Sequence, residues 1–110
     1  MEAIYMKSNA DLVYRDFDAS PALNNIIHKK LEKLNRYSES ILHTRVVVDI
    51  PHQHKHKGKH FRASIELDCN GMPIIVSHDD ASVHIALRDA FSAAERKLKA
   101  KQGKKRAVRH

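Results

Sequence analysis

The chain contains a segment in which apolar residues recur every three or four positions. This stripe consists of Leu23, Ile26, Ile27, Leu31 and Leu34. Such spacing places these side chains on one face of a helix and is typical of a helix packed on a core. Ser20 can cap the first N–H groups, and Pro21 suits the first helical position. We therefore predict a helix that begins at Pro21 and extends to about Tyr37.

A second helical stripe lies toward the C-terminal end. It consists of Val83, Ala86, Leu87, Ala90, Phe91, Ala94 and Leu98. Asp79, Asp80 or Ser82 can cap this helix, since acids suit the positive end of a helix dipole. Gly103 is the predicted end of the helix. The basic residues beyond it are expected to form a disordered tail.

Four segments favour β-strands. Residues 11–17, 41–50, 59–69 and 72–78 are rich in β-branched and apolar residues, as strands are. The third segment alternates most cleanly, because every second residue from Phe61 to Cys69 is apolar. Asn70 and Gly71 both tolerate a positive φ angle and predict a tight hairpin after it. Residues 1–9 show no such pattern, and we expect them to be irregular.

The predicted order β-α-β-β-β-α defines the fold class. A strand–helix–strand unit makes the first two strands parallel, and the last three strands form an antiparallel meander. Each helix has one apolar stripe, so both should pack on the same face of the sheet. We expect an α+β two-layer sandwich with a four-stranded sheet. Residues 1–100 are predicted to form this domain and residues 101–110 the basic tail.

Charge indicates the class of partner. Of the 110 residues, 20 are Lys or Arg and 13 are Asp or Glu, so the formal net charge is +7. Basic residues concentrate between positions 28 and 62 and again between positions 99 and 110. The second of these segments contains no acid. This distribution suits a polyanion such as a nucleic acid. The alternative is that these are solvated surfaces that only keep the protein soluble.

Other features restrict the location and the chemistry. The single cysteine, Cys69, excludes an intramolecular disulfide and a thiolate-rich zinc site. No apolar run is long enough to span a bilayer, and the N-terminus lacks the pattern of a signal peptide. We therefore expect a cytoplasmic protein without a membrane partner. Cys69 has no evident base, Asp79 and Asp80 suit a helix cap, and no glycine-rich phosphate loop occurs. An enzyme, a cofactor and a small-molecule substrate are not expected.

The segment "PHQHKHKGKH" at residues 51–60 alternates histidine with lysine. The minority interpretation is a transition-metal site. In an extended segment, His52, His54 and His56 would lie on one face and offer imidazole ligands. A second interpretation is contact with phosphates by its basic side chains: His54, Lys55, Lys57 and Lys59. A third is a solvated loop. Protonation of the histidines, near an ordinary pKa of ~6.5, would add positive charge to the segment as the pH falls.

Basic residues also lie off the apolar stripes of both predicted helices. On the first helix they are Lys29, Lys30, Lys33 and Arg36. On the second helix they are Arg88, Arg96, Lys97 and Lys99. A helix rises ~1.5 Å per residue, so positions 29 and 36 lie about 10 Å apart. Phosphates along a nucleic-acid strand are spaced on a comparable scale. The alternative is again a solvated basic face.

Three segments, in order, resemble one known family. "SPALNNIIHKKLEKLNRY" resembles the first helix of the ribosome hibernation factors, also called ribosome-associated inhibitor or sigma-54 modulation proteins. "TRVVVDIPHQHKHKGKHFRASIEL" resembles the second strand, loop and third strand of a histidine-rich branch of that family, and "VHIALRDAFSAAERKL" resembles its second helix. The resemblance covers about residues 11–100. Asn24 departs from it, because many members have arginine after Pro-Ala-Leu.

This resemblance implies a fold related to double-stranded RNA-binding domains. It also implies a partner, the small ribosomal subunit with its rRNA, bound in the channel for mRNA and tRNA. Members inhibit translation there under stress or in stationary phase. The chain resembles a short form without a dedicated dimerisation domain. With this resemblance, rRNA contact becomes the favoured role of the basic residues above. The alternative function is a general RNA-binding or histidine-rich metal-binding module.

Overall fold

The computed structural model describes residues 2–7, 10–16, 18, 20–37, 41–51 and 60–108. The elements in chain order are β1 (Glu2–Lys7), β2 (Ala10–Arg15), α1 (Pro21–Tyr37), β3 (Ile41–Asp49), β4 (Phe61–Cys69), β5 (Met72–Asp80) and α2 (Val83–Val108). The predicted order β-α-β-β-β-α is confirmed from β2 onward. β1 precedes it and was not expected.

One mixed sheet contains all the strands in the spatial order β1-β2-β3-β4-β5. β2 and β3 are parallel and joined through α1, as predicted, and every other neighbouring pair is antiparallel. The expectation that residues 1–9 are irregular is wrong, because β1 pairs with β2 from Glu2↔Arg15 to Lys7↔Ala10. Its centre, Ala3–Met6, is apolar at every position, so it lacks the alternation that identifies a strand.

The core lies between one face of the sheet and the two helices. On the strands it contains the residues that alternate inward, such as Val46, Ile65 and Leu67, all buried. Both predicted helical stripes contribute, including Ile27 and Leu87, which are 0% exposed. The buried Tyr14 ties the layers together, because its hydroxyl donates to the Asn24 Oδ1 atom at 2.6 Å. The α+β two-layer sandwich is therefore confirmed.

The start of each helix is defined by a serine. The Ser20 carbonyl accepts from the Asn24 N–H at 2.9 Å, as expected for a cap. At α2 the Ser82 carbonyl accepts from the Ala86 N–H at 3.0 Å, and Asp80 Oδ2 accepts from the Ser82 N–H at 2.8 Å. Asp79 is not part of this cap, because both of its carboxylate oxygens accept hydrogen bonds from Arg62.

The end of α2 differs from the prediction. The helix continues through Gly103 to Val108, so the expected helix end at Gly103 is wrong. An interior glycine costs a helix only about 1 kcal/mol relative to alanine, and the lysines and arginines around it are good helix formers. Helix therefore extends into the segment expected to be a disordered tail. The division into a domain at 1–100 and a tail at 101–110 stays a prediction.

The hairpin between β4 and β5 is confirmed. Asn70 and Gly71 have φ angles of 53° and 79°, in the left-handed region that these residues adopt most readily. The Asp68 Oδ1 atom accepts from the Gly71 N–H at 2.9 Å and holds the turn. The turn fixes the register that places Ile65 opposite Val76, both in the core. Among the described residues, no helix has the length and apolar character to cross a membrane.

Candidate nucleic-acid interface

The basic residues of α1 lie on its solvent side. Leu23, Ile27, Leu31 and Leu34 occupy the opposite, buried side. Lys29, Lys33 and Arg36 are exposed, and Lys30 is half-buried. This arrangement follows from the sequence, since the lysines and the arginine fall between the apolar positions of the helical repeat. The helix therefore presents several cations outward from a fixed backbone.

An ion pair connects this surface to α2. The Lys33 Nζ atom lies 3.7 Å from Glu95 Oε1, and the two side chains are 59% and 21% exposed. The contact shows which flank of each helix faces the other. Arg88 lies two turns before Glu95 and Lys99 one turn after it, so both follow the same flank of α2. The helix pair thus brings cations of α1 and α2 together around one acid.

Arg96 lies next to this flank on the outward side of α2, and its side chain is exposed. Arg88 also contacts its neighbour, with its Nε atom 3.3 Å from Asp89 Oδ1. We call the exposed or half-buried basic side chains of this layer the helix-layer cations: Lys29, Lys30, Lys33, Arg36, Arg88, Arg96 and Lys99. They outnumber the acids of the same layer, which are Glu32, Asp89 and Glu95.

Lys97 does not join the helix-layer cations, although the sequence places it among the candidates. It lies on the far flank of α2, where its Nζ atom donates to the Ile75 carbonyl at 3.3 Å. One turn later, Lys101 donates to the Pro73 carbonyl at 3.0 Å. Both carbonyls belong to β5, the last strand of the sheet. These two lysines therefore cover an otherwise unpaired strand edge.

The opposite side of the sheet carries a different set of charges. Residues of β2–β5 that alternate with the core residues point away from the helices. We call this surface the open face: Asp11, Val13, Arg15, His43, Arg45, Val47, Asp49, Arg62, Ser64, Glu66, Asp68, Pro73, Ile75, Ser77 and Asp79. Acids outnumber arginines here, which reverses the balance of the helix layer.

The arginines of the open face stand beside acids. Arg62 donates from Nε and Nη2 to the two carboxylate oxygens of Asp79, at 2.8 and 3.0 Å. These hydrogen bonds lower the pKa of Asp79 and raise the pKa of Arg62. Asp49 lies opposite Arg62 on β3. Burial raises the pKa of Asp49, and the charges of Arg62 and Arg15 only partly oppose that effect.

A second row of charges crosses the same face. The register aligns Asp11, Arg45 and Glu66 on three neighbouring strands. His43 lies on this face too, with its Nε2 atom 3.1 Å from Asp11 Oδ2. Because acids alternate with Arg45 across the strands, this row has little positive charge to offer a phosphate. The helix layer is therefore the better surface for a polyanion.

A family model described as Sigma 54 modulation protein / S30EA ribosomal protein matches residues 11–106. The chain belongs to this family. The resemblance noted from the sequence is thus confirmed. No curated protein matches the chain significantly.

Two solved structures are similar to this S30EA family member. One is the N-terminal domain of Protein Y from Thermus thermophilus, with a TM-score of 0.70 and 28% identity over 86% of this chain and 98% of that chain. The other is a ribosomal subunit interface protein from Coxiella burnetii, with a TM-score of 0.70 and 16% identity over 82% of this chain and 92% of that chain. At that identity the second likeness shows the fold alone.

The histidine-rich loop of this S30EA family member lies largely outside the described residues. This applies to every loop residue considered for phosphate or metal binding: His52, His54, Lys55, His56, Lys57 and Lys59. Their roles stay predictions. Pro51 and His60, at the two ends of the loop, are half-buried. Elsewhere, in the part of the chain that the structure covers, histidines, cysteines and acids form no group of three or more suited to a metal ion.

Cys69 and Asp79, to which the sequence assigns no catalytic role, each have a defined place in the fold. Cys69 is buried on the core side of β4, and Asp79 is engaged by Arg62. Sequence reasoning missed three contacts that shape the surface, namely those made by Glu95, Lys97 and Lys101. The only available signal was the spacing of Lys97 and Lys101, which is one helical turn. Their partners on β5 become visible only in the folded chain.

Proposed function

We propose that this S30EA family member binds the small ribosomal subunit by contacting rRNA phosphates with its helix-layer cations. Bound in the channel for mRNA and tRNA, it would inhibit translation under stress or in stationary phase, and it would act in the cytoplasm. The observation that carries the proposal is the separation of charge between the two sides of the fold. The family match and the similarity to a Protein Y domain support it.

The chemistry suits recognition of an RNA backbone. Arginine can donate two parallel hydrogen bonds to one phosphate, and lysine contributes a mobile point charge. Folded RNA is bound mainly through its shape, its phosphates and its 2′-hydroxyl groups. Exposed lysines and arginines on two packed helices can match such a surface without reading bases. The loop residues His54, Lys55, Lys57 and Lys59 would add further phosphate contacts.

Binding should depend strongly on salt. Each neutralised phosphate releases counterions, and contact with about six phosphates lowers affinity roughly a thousandfold between about 50 and 200 mM salt. Sedimentation of the protein with purified small subunits at graded salt concentrations measures this slope. Binding that does not change with salt would contradict the proposal.

A matched pair of variants tests the location of the contacts. Lys29→Gln/Arg36→Gln removes two cations from the helix layer, and Lys97→Gln/Lys101→Gln removes two from the β5 edge, so the net charge is the same in both. We expect the first variant to bind small subunits at least about tenfold more weakly and the second to change affinity by less than about threefold. Equal losses would mean that only the total charge matters. Equally tight binding to unrelated RNA would favour a general RNA-binding module.

A further inference from the structure

The open face combines acidic groups, a short run of hydroxyls and an exposed apolar side chain. We propose that this face binds an extended, basic polypeptide segment. The site shares no residue with the helix-layer cations, so both surfaces can be occupied together. The proposal goes beyond the function above, which assigns no partner to this side of the sheet.

The exposed charges of the face determine the class of partner. Glu66 and Asp68, on β4, are both exposed. Asp79 is 39% exposed in its side chain even while it pairs with Arg62. Arg62 is already bound by two hydrogen bonds, and the register places Arg45 between Asp11 and Glu66. Free negative charge therefore remains along β4 and β5, where it attracts cations and repels phosphates.

The shape of the strip suits a peptide. Ile75 lies beside Glu66 in the register and is 60% exposed. A lysine or arginine can pack its aliphatic stem on such a side chain while its charged end reaches the neighbouring carboxylate. Next along the strands, Ser64 and Ser77 face each other with their hydroxyl oxygens 3.4 Å apart. These small side chains leave room for a peptide backbone and offer it hydrogen bonds.

The geometry also defines how the peptide lies. A segment that joined the sheet as an additional strand would need the outward carbonyls of β5. Lys97 and Lys101 already donate to two of them, at Ile75 and Pro73. The basic segment is therefore expected to lie across the open face, over β4 and β5, and not along the edge of the sheet.

A titration followed by NMR tests this site on the full chain. The probe is a synthetic peptide of alternating lysine and alanine, and the control probe has glutamine in place of lysine. We expect the lysine peptide to shift the backbone amides of residues 64–68 and 75–79, and the glutamine peptide to leave them unchanged. Shifts confined to the helices, or no shifts at all, would overturn the proposal.

Two matched variants identify the acids responsible. Glu66→Gln/Asp68→Asn removes two charges from the open face, and the amide introduced at position 68 retains an oxygen for the Gly71 N–H. Glu32→Gln/Asp89→Asn removes two charges from the helix layer. We expect the first variant to bind the lysine peptide at least about fivefold more weakly and the second to bind it as tightly as the unaltered protein. Equal affinity of both variants would contradict the assignment.

A single-stranded RNA oligonucleotide separates this site from the proposed function. We expect it to shift amides of α1 and α2 and to leave the open face unchanged. Shifts on β4 and β5 with RNA would overturn the inference, because the face would then accept a polyanion. None of these measurements needs ribosomes, so the open face can fail as a peptide site while small-subunit binding holds, and the reverse.

Discussion

The helix layer and the open face lie on opposite sides of one sheet and carry opposite excess charge. On the helices, Lys29 and Arg36 extend into solvent and acids are few. On the open face, each arginine stands beside an acid, as Arg62 does beside Asp79. A net charge of +7 therefore gives a poor description of either surface. What distinguishes them is the balance of charge, because cations outnumber acids in the helix layer and acids outnumber arginines on the open face.

The two sides also differ in what lies beneath their side chains. Core-facing residues of the strands lie beneath the helices and are buried, and Ile65 among them is 0% exposed. Most residues of the open face are half-buried, as Val47 is, or exposed, and only Val13 among them is buried. Stability should therefore depend on the helix side of the sheet, which leaves the composition of the open face free to serve binding.

The largest expected effect concerns packing. Ile65→Ala leaves a cavity in the core beneath the helices and should lower the free energy of unfolding by about 2–5 kcal/mol. Val47→Ala, at a half-buried position on the other side of the sheet, should cost about 1 kcal/mol. Urea denaturation followed by circular dichroism measures both. Losses of similar size would show that the open face is packed as closely as the core.

A smaller effect concerns single charges and ribosome binding. Glu95→Gln releases Lys33 from its ion pair and removes a repulsive charge from the helix layer, so affinity for small subunits should rise about threefold. Glu66→Gln removes the same charge from the open face and should not tighten binding. Sedimentation at one low salt concentration compares the two. Tighter binding by Glu66→Gln would mean that charge location is unimportant.

The smallest effect concerns two acids of the open face with opposite pKa changes. Hydrogen bonds from Arg62 lower the pKa of Asp79. The stabilisation from this pair is therefore present above the ordinary aspartate pKa of about 3.9 and is lost as the pH falls through the lowered pKa. Because the pair is partly exposed, Asp79→Asn should cost only about 0.5 kcal/mol near pH 7. That cost should vanish in acid.

Asp49→Asn provides the contrasting case. Burial raises the pKa of Asp49 in the folded chain. The protonated Asp49 side chain therefore favours the folded state fully below the ordinary carboxyl pKa, and this contribution is lost as the pH rises through the raised pKa. The asparagine variant should therefore be at least as stable as the unaltered protein at neutral pH. Thermal unfolding from acid to neutral pH measures both variants. A loss for Asp49→Asn as large as that for Asp79→Asn would contradict these directions.

Residues whose role depends on local pattern were predictable from the sequence. The apolar repeats of both helices, the alternation from Phe61 to Cys69 and the Asn70–Gly71 turn each report on their own segment. The parallel pairing of β2 with β3 follows from the intervening helix. These features determine the two-layer fold, which is why the order of elements from β2 onward could be obtained without coordinates.

Contacts between distant segments could not be predicted in the same way. Asp79 resembles a helix cap in the sequence, yet the register of β4 and β5 places it against Arg62. Lys97 resembles any other basic residue of α2 until β5 supplies a carbonyl beside it. β1 lacks alternation and is recognisable only from its pairing with β2. In each case the deciding partner is far away in the sequence.

The two α2 lysines that contact β5 have a consequence for the protein at high concentration. An exposed last strand can serve as a template on which strands of other molecules assemble, the first step toward fibrils. Lys97 and Lys101 occupy two carbonyls of that strand, and Pro73 lacks an N–H there. Incoming chains would meet positive charge and an incomplete ladder. The same helix that supplies cations to one surface thereby protects the β5 edge of the sheet against strand addition.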